Sequence, residues 1–294
     1  IDMTRSAVSR MLTEARQKGI VEIRVQRPLR FDANLEDALK ERFNLRGAHV
    51  LAGQGGGDYD KLRRQLGLAS AGSLKELLHP QMTCGVAWGT TVSATIEALN
   101  AANLAPIQIV QLVGVLQSNS HAYNAQALVD IMANKLGGEG TYLYSPFIVE
   151  NGATAHSIRS IPDVREILDA GKRCDIALVG IGTVQDPAYS SIYQGGHITL
   201  ETLQQLQSSG AVGDVGGVHI DINGSVAGGD FNERMVGING PDLLAIPTRF
   251  AVAGGAAKAE AILGALRGGY ANLLVTDSET AEAVLNKDRE MIKS

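Results

Sequence analysis

The stretch "MTCGVAWGTTVSATIEALNAA", residues 82–102, decides the fold. A short apolar run closes on a glycine turn, and a helix pattern follows at once. The same order recurs along the chain. "IQIVQLVG" (107–114) precedes a helix near 121–136, and "CDIALVGIG" (174–182) is another such run. "TRFAVAGG" (248–255) leads into "AAKAEAILGAL" (256–266), and "ANLLVTD" (271–277) into "SETAEAVL" (278–285). Strands alternating with helices of this length imply an α/β fold with a Rossmann-like, mostly parallel sheet covered on both faces. Upstream, residues 33–46 read as an amphipathic helix with Leu35, Ala38, Leu39 and Phe43 inward. "GAHVLAG" reads as a strand, "GQGGGDYD" (53–60) as the most linker-like stretch, and most of 60–78 as a helix.

Composition agrees. Hydrophobic residues make up 45% of 294 but aromatics only 4%, so the core is built from Ala, Val, Ile and Leu. The 34 glycines fall mostly after apolar runs and read as turns. No apolar stretch has membrane-spanning length and no signal peptide is evident, so no membrane partner is expected. Cys84 and Cys174 sit alone in apolar runs, which points to reduced, buried thiols in a cytoplasmic protein rather than to a metal or catalytic site. No metal or cofactor is expected: His121, His156, His197 and His219 lack ligand spacing and read as surface or core histidines. The chain begins at Ile1, not Met, so the natural N-terminus is expected upstream.

Charge is unevenly spread. Residues 1–30 hold seven basic and three acidic side chains, a net +4, while the remainder holds 19 basic and 28 acidic, a net −9. Only the N-terminal piece suits a polyanion. Within "TRSAVSRMLTEARQKGIVEIRV" (4–25), Thr4 is a candidate N-cap, and Ala7, Val8, Met11, Leu12 and Ala15 form an apolar stripe. Gly19 ends the helix after Lys18, and "IVEIRV" alternates as a short strand. That is a recognition helix followed by a wing. Arg5, Ser6, Ser9 and Arg10 fall on its early polar part, suited to base and phosphate contacts. A solvated amphipathic surface helix is the alternative reading.

Two turns carry ligand chemistry. In "GVAWGTTVSAT", Gly89 permits close backbone approach, and Thr90 and Thr91 offer hydroxyls and amides at a helix start, where the dipole favours an anion. In "VAGGAAKAEAI", Gly254 and Gly255 open a helix with Lys258 in its first turn, a position explained if the amine faces a phosphate or carboxylate. Neither turn has P-loop or GxGxxG spacing. Together they point to a small phosphorylated ligand at the carboxyl ends of the strands. Other polar groups near strand ends are Asp221 and Asn223 in "VHIDINGS", His121, Tyr123, Asn124 and Gln126 in "HAYNAQ", and Tyr144 and Ser145 before Pro146. Asp221 is either a turn-forming residue of "DING" or an acceptor for a ligand hydroxyl.

With these residues assembled, the chain resembles the SorC family of bacterial transcriptional regulators over nearly its whole length. "TRSAVSRMLTEARQKGIVEIRV" resembles the family's recognition helix and wing, and "CGVAWGTTV" its first effector-domain motif. "CDIALVGIGTV", "GAVGDVGGVHID", "VAGGAAKAEAI" and "GGYANLLVTDSETAEAVL" follow in the family's order. The resemblance implies a partial winged helix-turn-helix over 1–30. It implies an effector and oligomerisation domain over 31–294, related to sugar-phosphate isomerases and deaminases and forming homodimers or homotetramers. By position, Gly89, Thr90, Thr91 and Lys258 would hold a phosphate, Asp221 would accept sugar hydroxyls, and Thr4, Arg5, Ser6, Ser9 and Arg10 would meet operator DNA. Asn124, Gly254 and Gly255 complete the expected effector site. Two departures stand out. "LVGVLQS" puts Val115 beside Gly114 where many members have paired glycines, and the helices expected before residue 1 are absent from this sequence. The rival readings are a sugar-phosphate isomerase or deaminase, with Asp221 and His219 on one strand face as its acid–base pair, and a plain sugar-binding module without DNA contact.

Overall fold

The computed structural model describes residues 4–17, 29–53, 58–116 and 124–293. Helix α1 (Arg5–Gln17) comes first, with the Thr4 hydroxyl accepting from the Ala7 N–H at 3.4 Å. The expected helix end at Gly19, the wing at 20–25, residues 54–57 of the linker-like 53–60, and His121 and Tyr123 lie outside the described residues.

The sheet is built on seven parallel strands in the order β1-β9-β8-β5-β2-β3-β4. They are β1 (Gly47–Leu51), β2 (Thr83–Val86), β3 (Gln108–Gln111), β4 (Glu139–Thr141), β5 (Ile176–Thr183), β8 (Thr248–Val252) and β9 (Leu273–Asp277). The chain steps outward from β2 to β3 and β4, then returns to the other side of β2 with β5 and continues to β8 and β9. The connections leaving β2 and β5 therefore diverge, and a crevice opens between their carboxyl ends. That is where ligands bind in open parallel sheets. Beyond its parallel part, β5 bends to pair antiparallel with β6 (Gly213–Val215), which turns back into β7 (Val218–Ile220).

Both faces of the sheet are apolar, as a parallel sheet requires. Along β5, Ile176 and Leu178 pack to one side and Ala177 and Val179 to the other. The first side is covered by α3 (Tyr59–Leu77), α4 (Thr90–Ala98) and α5 (Ala125–Leu136), through Leu66, Leu74, Ile96 and Met132. The second is covered by α2 (Ala33–Phe43), α7 (Pro162–Lys172), α11 (Ala259–Arg267) and α12 (Ser278–Lys293), through Leu39, Leu168, Ile262 and Val284. The remaining helices, α6 (Gly152–Arg159), α8 (Ser191–Gln194), α9 (Leu200–Ser208) and α10 (Gly240–Ala245), fill the connections around β5 to β8. Helices α3 and α4 meet closely at Gly67, where an added Cβ would lie 2.5 Å from the Ala94 carbonyl oxygen.

Capping follows the local sequence. Asp32, Asp58 and Asn124 accept N–H groups at the starts of α2, α3 and α5. One polar junction ties the second layer together. Asp288 on α12 has a side chain only 1% exposed, and its carboxylate accepts from Arg42 of α2 and from both Nε and Nη2 of Arg267 at the end of α11. Burial pushes this carboxyl up, but the two guanidiniums outweigh it and hold it below the usual range. Cys84 and Cys174 are buried free thiols, and burial pushes Cys174 up to about 12. Among the described residues no helix is long and apolar enough to cross a membrane.

Candidate functional site

The crevice between β2 and β5 holds the two turns that the sequence singles out. After β2, Gly89 takes φ +152, a value open to glycine, and Thr90 and Thr91 start α4 with no side chain capping their N–H groups. After β8, Gly255 takes φ +97, and its N–H is held by Asp277 Oδ2 at 3.0 Å and Thr280 Oγ1 at 2.7 Å. Gly254 admits no side chain, because a Cβ there would lie 2.5 Å from Asp277 Oδ2. The chain then makes a 3-10 turn, Ala256–Lys258, before α11. Lys258 was expected within the first turn of the helix, but the intervening 3-10 turn makes it the residue before α11.

Gly89, Thr90, Thr91 and Lys258 line one cavity together with Trp88, Gly182, Ser191, Ile192 and Asp214. Lys258 is 2% exposed. Its Nζ donates to the Ile181 carbonyl at 3.1 Å and lies 5.8 Å from the centre of the Tyr59 ring. Among the described residues no carboxylate stands within ion-pair distance of it. An ammonium has three donors, so the cavity contains a buried cation with unused hydrogen-bonding capacity and, among the described residues, no carboxylate in ion-pair contact. Thr91 is more committed than the sequence implies. Its hydroxyl donates to the Val252 carbonyl at 2.7 Å, tying the start of α4 to the end of β8. Its oxygen lone pairs, and the amides of the α4 start, remain the available groups.

Asp214 is the residue that sequence reasoning missed. Its backbone pairs with Gly182, and a side chain at 182 would collide with its carboxylate. Oδ2 accepts from the Gly217 N–H at 3.0 Å, which closes the β6–β7 turn and leaves Oδ1 without a partner among the described residues. The signal was the pair of glycines in "GDVGG" opposite the glycine of "GIG". Its meaning depends on β5 bending to meet β6, which no local pattern reveals.

Other expected residues lie apart from this cavity. Asp221 follows the end of β7, and its Oδ1 accepts the N–H groups of Asn223 at 2.9 Å and Ser225 at 2.8 Å. Its carboxylate thus takes the turn-forming role. Asn124 spends its side-chain oxygen on the Ala127 N–H, 3.1 Å away. Val115, the departure beside Gly114, bridges to Pro146 and is partly buried. The acid–base pair considered for an enzyme does not form. Asp221 is past the strand end, whereas His219 is fully buried with its ring 4.8 Å from that of Phe231. Among the described residues neither His219 ring nitrogen has a well-formed hydrogen bond, and burial lowers its pKa, which favours the neutral ring. No cluster of three or more potential metal ligands occurs among the described residues.

Comparison with known proteins gives this geometry a family. A profile described as "Putative sugar-binding domain" matches residues 27–286. The deoxyribonucleoside regulator of Bacillus subtilis is 30% identical over 287 residues, covering 97% of this chain and 90% of that protein. The transcriptional regulator LsrR of Escherichia coli K12 is 32% identical over 292 residues, covering 97% and 87%. The full-length sorbitol operon regulator SorC of Klebsiella pneumoniae superposes with a TM-score of 0.79 at 28% identity, covering 96% of this chain and 90% of that one. The chain therefore belongs to the sugar-binding-domain family of SorC-like transcriptional regulators. It is a sugar-responsive regulator of transcription rather than an enzyme.

Proposed function

We propose that this chain is a cytoplasmic, DNA-binding regulator of a carbohydrate-utilisation operon, controlled by a small phosphorylated sugar or polyol. Residues 31–294 bind the effector and form a homodimer or homotetramer, and residues 1–30 are part of a winged helix-turn-helix. The observation that carries the effector reading is Lys258, a buried ammonium with no carboxylate in ion-pair contact among the described residues. A phosphate placed there would receive its free N–H bonds and those at the uncapped start of α4. The unpartnered Asp214 Oδ1 is placed to accept a sugar hydroxyl. Asp221 and Asn124 are not needed for this arrangement, and Gly254 and Gly255 serve it by shaping the turn that delivers Lys258.

Support for the DNA reading is the basic N-terminal segment and the exposure of Ser6, Ser9 and Arg10 on α1. Effector binding shifts the heads only through its different affinity for two arrangements of the body. The test is a thermal-shift screen with inorganic phosphate, sugar phosphates, free sugars and polyols, followed by anisotropy with the protein's own upstream DNA. A matching effector at about 100 times its Kd stabilises the protein by about 2.7 kcal/mol and alters DNA affinity. No phosphorylated compound raising the melting temperature would refute the effector reading, and no sequence-preferring DNA binding would refute the regulatory one.

A further inference from the structure

The cavity at Lys258 is too small for the ligand its chemistry calls for. It leaves about 30 Å³ of free space, room for a water molecule or two, whereas sugar-sized ligands occupy pockets of at least about 300 Å³. A second void of about 190 Å³ is lined by Tyr189, Gly255, Glu279 and Tyr59 among others, and the Tyr59 ring centre lies 5.8 Å from Lys258 Nζ. One segment walls both spaces. Ser191 and Ile192 face the first and Tyr189 the second, all within residues 186–197, which include α8.

Among the described residues, the stretch 187–196 is hydrogen-bonded within the segment and not to the body. The Tyr189 and Ser190 N–H groups donate to the Asp186 carbonyl, and Gln194, Gly195 and Gly196 donate to Ser190, Ser191 and Tyr193. The Ala188 N–H donates to Asp186 Oδ1 at 2.9 Å, and Gln194 Nε2 to the Pro187 carbonyl at 2.8 Å. Among the described residues, no hydrogen bond of 187–196 reaches the sheet or the flanking helices. What holds the segment down is packing: Ile192, 4% exposed in the core, Tyr193 partly buried against it, and the edge of Tyr189 against Tyr59 at 5.7 Å. The closed position also leaves the Ser190 hydroxyl fully buried without a partner, an arrangement that outward movement relieves. Gly195–Gly196, with Gly196 at φ +73, and Asp186–Pro187 bound the piece and are its candidate hinges.

We propose that residues 187–196 are a lid that swings away as a rigid piece when the effector enters. The effector joins the two voids and takes the place of Ile192 and Ser191 against Lys258. This inference rests on the phosphate site proposed above. Its movement breaks packing but no hydrogen bond to the body, so the lid opens independently of the sheet.

Hydrogen exchange on the full chain without ligand tests the independence. Amides 188–196 should exchange together and faster than those of β5. Exchange as slow as that of β5 would overturn the lid. Binding is read by fluorescence of Trp88, the single tryptophan, which lines the cavity. The probes are inorganic phosphate, ribose 5-phosphate and glucose 6-phosphate. Ile192→Ala and Tyr189→Ala weaken the closed state and should tighten binding, Ile192→Ala by about tenfold, because less affinity is lost to opening. Bound ligand should also speed exchange at 188–196. Binding with unchanged or weaker affinity in both variants overturns the lid while leaving the phosphate site intact. No response to any probe, in wild type or variants, overturns the effector site and the lid with it.

Discussion

Replacing Lys258 by methionine separates the two roles the buried amine plays. Methionine nearly matches the side chain's length and removes the charge. In the ligand-free protein the change deletes one hydrogen bond to the Ile181 carbonyl and one contact with the Tyr59 ring. A hydrogen bond to a charged group contributes about 1.5–3 kcal/mol, and an ammonium over an aromatic ring about 0.5–2 kcal/mol. Against this stands the several kcal/mol needed to hold an ammonium out of water with no carboxylate in ion-pair contact. The second effect is larger, so Lys258→Met is expected to raise ligand-free stability by about 1–2 kcal/mol, a gain of a few degrees in Tm for a chain of this size. The same variant should bind phosphate about 10- to 150-fold more weakly, since it loses at least one charge-assisted bond to the anion. Calorimetric melting in phosphate-free buffer measures the first effect and titration with inorganic phosphate the second. A variant that melts below wild type in the absence of anion would show that the amine is already satisfied. Unchanged phosphate affinity would remove Lys258 from the site.

Further outcomes follow from other residues. His219 has a folded pKa below its unfolded value, so the stability it contributes is complete above about pH 6.5 and declines on acidification, by at most about 1.4 kcal/mol per pH unit. His219→Phe should flatten the fall in Tm between pH 6.5 and 5, and an unchanged slope would place the titration elsewhere. Asp288→Asn should destabilise by about 2–4 kcal/mol in urea melts, at the lower end because Arg42 stays half exposed. The depressed Asp288 pKa means that its contribution is present above about pH 4 and lost as pH falls further, so the variant's acid limb should be shallower. Gly67→Ala should lower stability by about 1–3 kcal/mol despite alanine's helix propensity, because α3 must move off the Ala94 carbonyl; a neutral or positive shift in Cm would mean that the helices separate freely. Arg10→Ala should weaken DNA binding and reduce the salt slope by about one phosphate equivalent, and an unchanged slope would take Arg10 off the DNA.

The parallel sheet was legible because each strand–turn–helix unit advertises itself locally. The run 82–102 became β2 and α4, and 248–266 became β8, a 3-10 turn and α11. The strand order was not legible. The choice of β2 and β5 as neighbours is made by helices packing on opposite faces, and it is this choice that creates the crevice. Thr90, Thr91 and Lys258 could be found because glycine turns at strand ends have a sequence signature. Asp214 could not, since its place depends on the bend that carries β5 beyond the parallel sheet to β6. Asp221 illustrates the opposite case. Its competing roles were both apparent in "DING", and the two short N–H contacts within the turn decide between them. The pairing of His219 with Asp221 failed because the strand ends at Ile220, so the alternation that would place them on one face does not extend far enough.

The junction at Asp288 bears on where this molecule can be divided. The family match stops at residue 286, two positions before the carboxylate on which α2 and α11 converge. A fragment trimmed to the matched boundaries would keep the guanidiniums of Arg42 and Arg267 and lose the anion between them. Attraction across the seam would become repulsion, in a layer whose first helix follows the N-terminal segment in the chain. The last turns of α12 are thus a clasp for the domain and not a dispensable tail, and the smallest piece that folds as this one does extends past the point where the family profile ends.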